Sequence, residues 1–291
     1  MGCPAMFLHL VARALPGQTP FSTDGVARWM MRALRRTWPE ALSACLMPSH
    51  LHLLLACADA EQERKRLARI AAAFSQHSGQ QRVWRPVESP RLVTDHAHLI
   101  RTIRYVHLNP CRSRLVDDPL MWPYSTHRDV VGAVVDPWVP ADRVAAAIRY
   151  RGRGFRDWYH QFVSSEARVA RALRDRLRPA EPRLVPTVPL QTIVEAVVAA
   201  TPWSTIHVRR RAVVLLAVHQ GWDDPRLLAR AANLTPRHVR NLMRESSPEV
   251  LAAAAMCLGD ARLRYGPHPR DTSLKASSGS RPLAISLTRK S

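Results

Sequence analysis

The chain has 291 residues, of which 46% are hydrophobic, including eight Trp and eight Met, too much apolar material for a wholly disordered basic protein. This length exceeds one average domain of about 150 residues, so roughly two cores are expected. Lys and Arg number 43 against 23 Asp and Glu, and the resulting charge of +20 favours a polyanionic partner over a neutral metabolite, although an Arg-rich proteome would produce the same excess.

In chain order, FLHLVARA reads as a strand, PGQTPFSTDG as a turn and VARWMMRALRRTW as a helix. LSACLMPSHLHLLLAC places two short apolar runs around Pro48-Ser49, a pair of strands, and a second helix is expected over much of 60–78. RVWRPVESPRLV contains a further strand whose edges and register its prolines leave open. Asp95 caps a helix in which Leu99, Ile103 and Val106 recur at helical intervals, and Pro110 is expected to end it near Asn109. The β-α-β-β-α-β-α order predicts an α+β fold, a ferredoxin-like antiparallel sheet with helices, followed by a mainly α-helical C-terminal region.

The expected division is 1–138 for the sheet domain, 139–184 for a basic helical extension and linker, 185–265 for a helical domain and 266–291 for a disordered basic tail. The Pro-rich PAEPRLVPTVP reads as the boundary between the two folded parts. Cys3, Cys45, Cys57, Cys111 and Cys257 are odd in number and include no Cys-x-x-Cys pair, so neither a disulfide framework nor a zinc knuckle is indicated. No run approaches 18 consecutive apolar residues and the N-terminus lacks a basic lead before its apolar run, so no membrane role is expected and the predicted location is cytoplasmic.

Two constellations carry chemistry. On a strand, His50 and His52 leave the same face, which suits a divalent cation; the alternative is a pair of hydrogen-bonded core histidines. On a helix, Tyr105 and Asn109 lie four residues apart on one side. If that helix crosses the histidine strand, Asn109 completes a His-His-Asn metal site and Tyr105 is aimed at a group the metal polarises. The alternative has Tyr105 packing at the core edge and Asn109 capping the helix. His107 points around the helix from Tyr105 and is expected to make structural hydrogen bonds, the alternative being that it, and not Asn109, is the helix-borne metal ligand.

CLMPSHLHLLL (45–55) and RTIRYVHLNPCRSRLV with DDPLMWPYSTHRDVVG (101–132) resemble the signatures of the single-tyrosine, His-hydrophobe-His transposases of insertion sequences, and most of all the subgroup associated with repetitive extragenic palindromes. The resemblance spans residues 5–132 and implies that His50, His52 and Asn109 hold Mg2+ or Mn2+ while Tyr105 cuts single-stranded or hairpin DNA. It also implies a 5′-phosphotyrosine intermediate with a free 3′-hydroxyl, and a homodimer. The sequence departs from the family at Ser49, in place of an asparagine, and at Cys111, Ser113 and Arg114. Residues 82–93 lack the family's Gly-aromatic-basic lead, and no glycine-rich turn follows the first strand. Arg101, Arg104 and Arg112 are candidate phosphate contacts, against an ordinary role as solvated surface.

In WDDPRLLARAANLTPRHVRNLM, Asp224-Pro225 and Thr235-Pro236 each supply a cap oxygen followed by proline, so two short helices flank Asn233-Leu234. This resembles a helix-turn-helix element, with Arg237, Arg240 and Arg244 on one face for contact with duplex DNA; a plain basic bundle is the alternative. The sequence therefore predicts a metal-dependent DNA endonuclease and strand transferase. The competing expectations are a domesticated, non-catalytic DNA-binding regulator of the same fold and a replication initiator or relaxase, for which no ATPase or helicase motif is present.

Overall fold

The computed structural model describes residues 6–57, 59–165 and 177–264. Strand β1 (Met6–Arg13) alternates, with Leu8, Leu10 and Ala12 on one face and His9, Val11 and Arg13 on the other. Helix α1 (Asp24–Thr37) begins where the Thr23 hydroxyl accepts from Val26 N–H, and buries Ala27, Met30, Met31 and Leu34. Strands β2 (Ser43–Met47) and β3 (His50–Cys57) form a hairpin around the Pro48-Ser49 turn. Helix α2 (Ala60–Ser78) is capped by Asp59 and stopped by Gly79 in the left-handed region. Strand β4 (Arg91–Val93) and helix α3 (His96–Arg112) follow.

All pairings are antiparallel and the sheet order is β2-β3-β1-β4, the ferredoxin-like arrangement the element order predicted. Helix α3 lies on the face carrying His9, His50 and His52. On the opposite, wholly apolar face, Leu8, Leu10, Leu51, Leu53 and Leu55 are buried on the side where α1 and α2 pack together.

Helix α3 runs past the expected stop, through Pro110 to Arg112. In the last turn the missing proline N–H removes one hydrogen bond, and the chain recovers others: Ser113 N–H donates to Asn109 O and Leu115 N–H to Pro110 O. The register left open by the prolines of 82–93 is also set. Trp84 bridges Ala14, Arg85 N–H donates to Arg13 O, and β4 pairs with Phe7–His9, so the segment edges β1 along its length with a break around Pro86 and Pro90.

The free edge of β2 is closed by residues 122–126. Leu46 N–H donates to Tyr124 O, Thr126 N–H to Ala44 O, Ala44 N–H to Thr126 Oγ1, and Trp122 Nε1–H to Leu46 O. Helices α4 (His127–Val130), α5 (Ala141–Ala147) and α6 (Phe155–Ser164) continue the fold, with α6 packed on α3.

The C-terminal region is helical throughout: α7 (Leu190–Ala200), α8 (Ile206–His219), α9 (Pro225–Ala232), α10 (Pro236–Leu242), α11 (Pro248–Gly259) and α12 (Ala261–Arg264). The Pro-rich stretch before it is held along these helices: Ala180 N–H donates to Ala255 O, Arg183 N–H to His219 O, and Trp222 Nε1–H to Val188 O. The region docks on the sheet domain through the ion pair of Arg262 with fully buried Asp118, and through Val135 N–H donating to Ala200 O. The expected disordered tail lies outside the described residues. No helix among the described residues is long and apolar enough to cross a membrane.

Candidate functional site

The β1–β3 register places His9, Val11 and Arg13 beside Leu54, His52 and His50, all on the face that α3 crosses. His52 is 1% exposed and His50 is half-buried. Their rings meet edge to face with centroids 4.8 Å apart. Tyr105 of α3 stands edge-on against the His52 ring at 5.4 Å, so the strand histidine and the helix tyrosine are in contact. At 36% exposure, Tyr105 remains reachable by a large substrate.

Asn109 is buried one turn after Tyr105, and its Nδ2–H donates to Tyr105 O at 3.2 Å, so the amide nitrogen is committed to the helix backbone. Among the described residues no group of three His, Cys, Asp or Glu is placed to hold a metal. One feature of the donor set fits a cation: His52 Nε2 is buried with no hydrogen-bond partner. Ser49 Oγ lies 3.2 Å from His50 Nδ1, so the turn of the β2–β3 hairpin touches the histidine pair.

The imidazoles are held neutral. Burial, assisted by Arg13, pushes His50 down to about 4, and burial with Arg91, Arg13 and His98 does the same for His9. His52 is pushed well below the ordinary histidine range by burial and then by His9 and His50. Neutral rings each carry one nitrogen lone pair, the form a divalent cation binds.

His9 is the participant that sequence reasoning missed. Its Nε2 lies 2.9 Å from His52 Nδ1, and its ring stacks on that of His52 at 5.1 Å. Only the pairing of β1 with β3 brings it there. His9, Arg91, His98, Arg101, Thr102 and Tyr105 line an open cleft of about 310 Å3.

The three candidate arginines of α3 separate. Arg101 lines the cleft, and the Arg112 guanidinium sits over the Tyr105 ring at 5.2 Å. Arg104 turns away and covers Phe162 of α6 at 5.5 Å. His107 is buried on the far side of α3, where Nδ1 lies 2.7 Å from Tyr159 Oη and Nε2 lies 2.9 Å from Ser43 Oγ and 3.1 Å from Thr126 Oγ1. Both ring nitrogens are thus committed to hydrogen bonds. Burial pushes this ring down to about 3.

Far along the chain, α9 and α10 enclose a tight turn. Asp224 accepts from Arg226 N–H, Asn233 adopts φ 52° and ψ 54°, and Thr235 accepts from His238 N–H. Val239 and Leu242 are buried, while Arg237, Arg240 and Arg244 are exposed.

No protein-family model and no curated protein matches the chain. Among solved structures, one described as a REP-associated tyrosine transposase bound to a REP hairpin is similar with a TM-score of 0.39 and 19% identity, over 45% of this chain and 82% of that one.

Proposed function

We propose that the chain is a metal-dependent endonuclease and strand transferase for single-stranded or hairpin DNA, with Tyr105 as the catalytic nucleophile and His50, His52 and Asn109 as ligands of Mg2+ or Mn2+. The observation that carries this reading is the packing of exposed Tyr105 on buried His52, whose Nε2 is unpartnered. The motif resemblance selects the same residues. When bound, the cation supplies charge neutralisation at a nonbridging phosphate oxygen.

Tyr105 Oη attacks phosphorus and forms the phosphotyrosine bond as the phosphorus–O3′ bond breaks; the phenol proton leaves to water and the departing 3′-oxygen takes one up. The free 3′-hydroxyl, or that of another strand, reverses the step without ATP, because the adduct retains the energy of the phosphodiester. Arg101 and Arg91 at the cleft supply positive charge for the flanking phosphates, and Arg112 over the tyrosine ring orients the nucleophile. Arg237 and Arg240 on α10, with Arg244 in the turn just past its end at Leu242 and so off the single helical face the sequence predicted, supply the positive charge of a helix-turn-helix reader for duplex or hairpin stem.

The test incubates wild type and Tyr105→Phe with end-labelled single-stranded hairpins, with Mn2+ or EDTA, and resolves denatured protein–DNA adducts. An Mn2+-dependent adduct absent from Tyr105→Phe is expected. Tight DNA binding with no adduct across a broad hairpin library replaces this reading with that of a non-catalytic DNA-binding regulator.

A further inference from the structure

His9 has no part in the reaction written above, yet among the described residues it makes the one hydrogen bond to a ring nitrogen of His52. The contact joins residues 43 positions apart and is buried on both sides, with His9 7% and His52 1% exposed. Between two neutral imidazoles, one nitrogen of the pair must carry the hydrogen and the other must present a lone pair. Two arrangements satisfy the 2.9 Å contact, and they have opposite consequences for the far side of His52.

If His9 Nε2 is the donor, His52 Nδ1 accepts and the hydrogen of His52 sits on Nε2. That atom is buried and faces no acceptor, so a donor is stranded away from water, at a cost of about 1–3 kcal/mol. It also blocks the nitrogen that a cation would use. If His52 Nδ1 is the donor, His9 Nε2 accepts, and the lone pair of His52 is left on Nε2. A ligand histidine typically has its second ring nitrogen donating in this way, which fixes both its tautomer and its ring orientation. The stacking of the two rings, 26° from parallel, further restrains the His52 plane.

We infer that His9 is a positioning residue that accepts a hydrogen bond from His52 Nδ1 and so keeps His52 Nε2 as a lone pair directed to a divalent cation. The inference rests on the metal-site reading above and assigns a role to a strand that contributes no ligand. His9 also stands edge-on to the Tyr105 ring at 6.1 Å, but in this role it acts through His52.

The test reads the tautomer directly. Long-range 1H–15N correlation spectra of 15N-histidine-labelled, metal-free protein, assigned with a His52→Gln variant, are expected to show His52 as the Nδ1–H form. In parallel, Mn2+ binding is titrated by electron paramagnetic resonance for wild type, His9→Leu and His9→Gln. Loss of the acceptor in His9→Leu is expected to weaken Mn2+ binding about 10- to 100-fold. His9→Gln retains an amide oxygen able to accept and is expected to stay within a few-fold of wild type. Thermal unfolding confirms that each variant is folded, and if His9→Leu is not, the wild-type tautomer still decides.

An Nε2–H tautomer at His52 in wild type, or equal Mn2+ affinity in folded His9→Leu, overturns the inference. If the Tyr105-dependent adduct forms all the same, the nuclease reading survives that failure. Conversely, His9-dependent Mn2+ binding without any adduct supports the positioning role and removes the nuclease. Absence of Mn2+ binding in wild type overturns both.

Discussion

The buried His107 provides a quantitative test of how the fold responds to acid. A histidine in the unfolded chain titrates near 6.5, whereas burial holds His107 down at about 3. The folded state therefore keeps the ring neutral while the unfolded state takes up a proton, so stability is fully present above pH 6.5 and is lost as pH falls toward 3. Integrating that difference from pH 7 to pH 5 gives a loss of about 2 kcal/mol from this one ring. His107→Gln removes the titration while retaining hydrogen-bonding groups toward Tyr159 and Ser43. Urea unfolding at pH 7, 6 and 5 should show the variant less stable than wild type at pH 7 but losing about 2 kcal/mol less on acidification. Comparison with wild type cancels Asp129, which burial raises to about 7 and whose titration has the opposite sign. A variant whose stability falls with acid as steeply as wild type refutes the argument that His107 is a buried neutral ring.

Arg262→Ala strands the fully buried Asp118 carboxyl and should cost about 3–5 kcal/mol in urea unfolding, with Arg262→Lys recovering part of the loss. Asn233 holds a left-handed backbone between α9 and α10, so Asn233→Ala should destabilise by about 1 kcal/mol and Asn233→Gly should stay close to wild type in the same assay. Replacing Arg237, Arg240 and Arg244 by Ala should weaken duplex binding and lower the slope of log K against log salt by about 0.9 for each phosphate contact removed, as read by fluorescence anisotropy. An unchanged slope would show that these side chains do not touch the DNA backbone.

The features legible in the sequence are those fixed by neighbours along the chain. Asp95, Asp224 and Thr235 cap helices because a side-chain oxygen reaches a backbone N–H two or three residues on, a relation that spacing alone reveals. The common face of His50 and His52 follows from the strand repeat, and that of Tyr105 and Asn109 from the helical one. The meeting of Tyr105 with His52 required only that α3 cross the strand. His9 was not legible, because its neighbour is chosen by the β1–β3 register rather than by local pattern. Arg104 sits one residue from the tyrosine yet belongs to the aromatic surface of α6, whose sequence gives no sign of packing there. The proline stretch read as a boundary because its composition resists regular structure, but irregular backbone docks as firmly when its N–H and carbonyl groups find partners, as Ala180 and Arg183 do.

The segment 122–126 has a bearing on how copies of this chain can meet. By occupying the outward N–H and carbonyl groups of Ala44 and Leu46, it leaves β2 unable to template a strand from another molecule. The opposite margin is the three-residue β4, where Arg91 is exposed, Leu92 is 48% exposed and Pro90 stands immediately before the strand. A proline and a charge at so short a margin discourage runaway stacking while leaving room for a single, brief pairing. Among the described residues the open margin of the sheet is β4, so a sheet-extending contact between two copies would pair β4 with β4 and leave no further open edge.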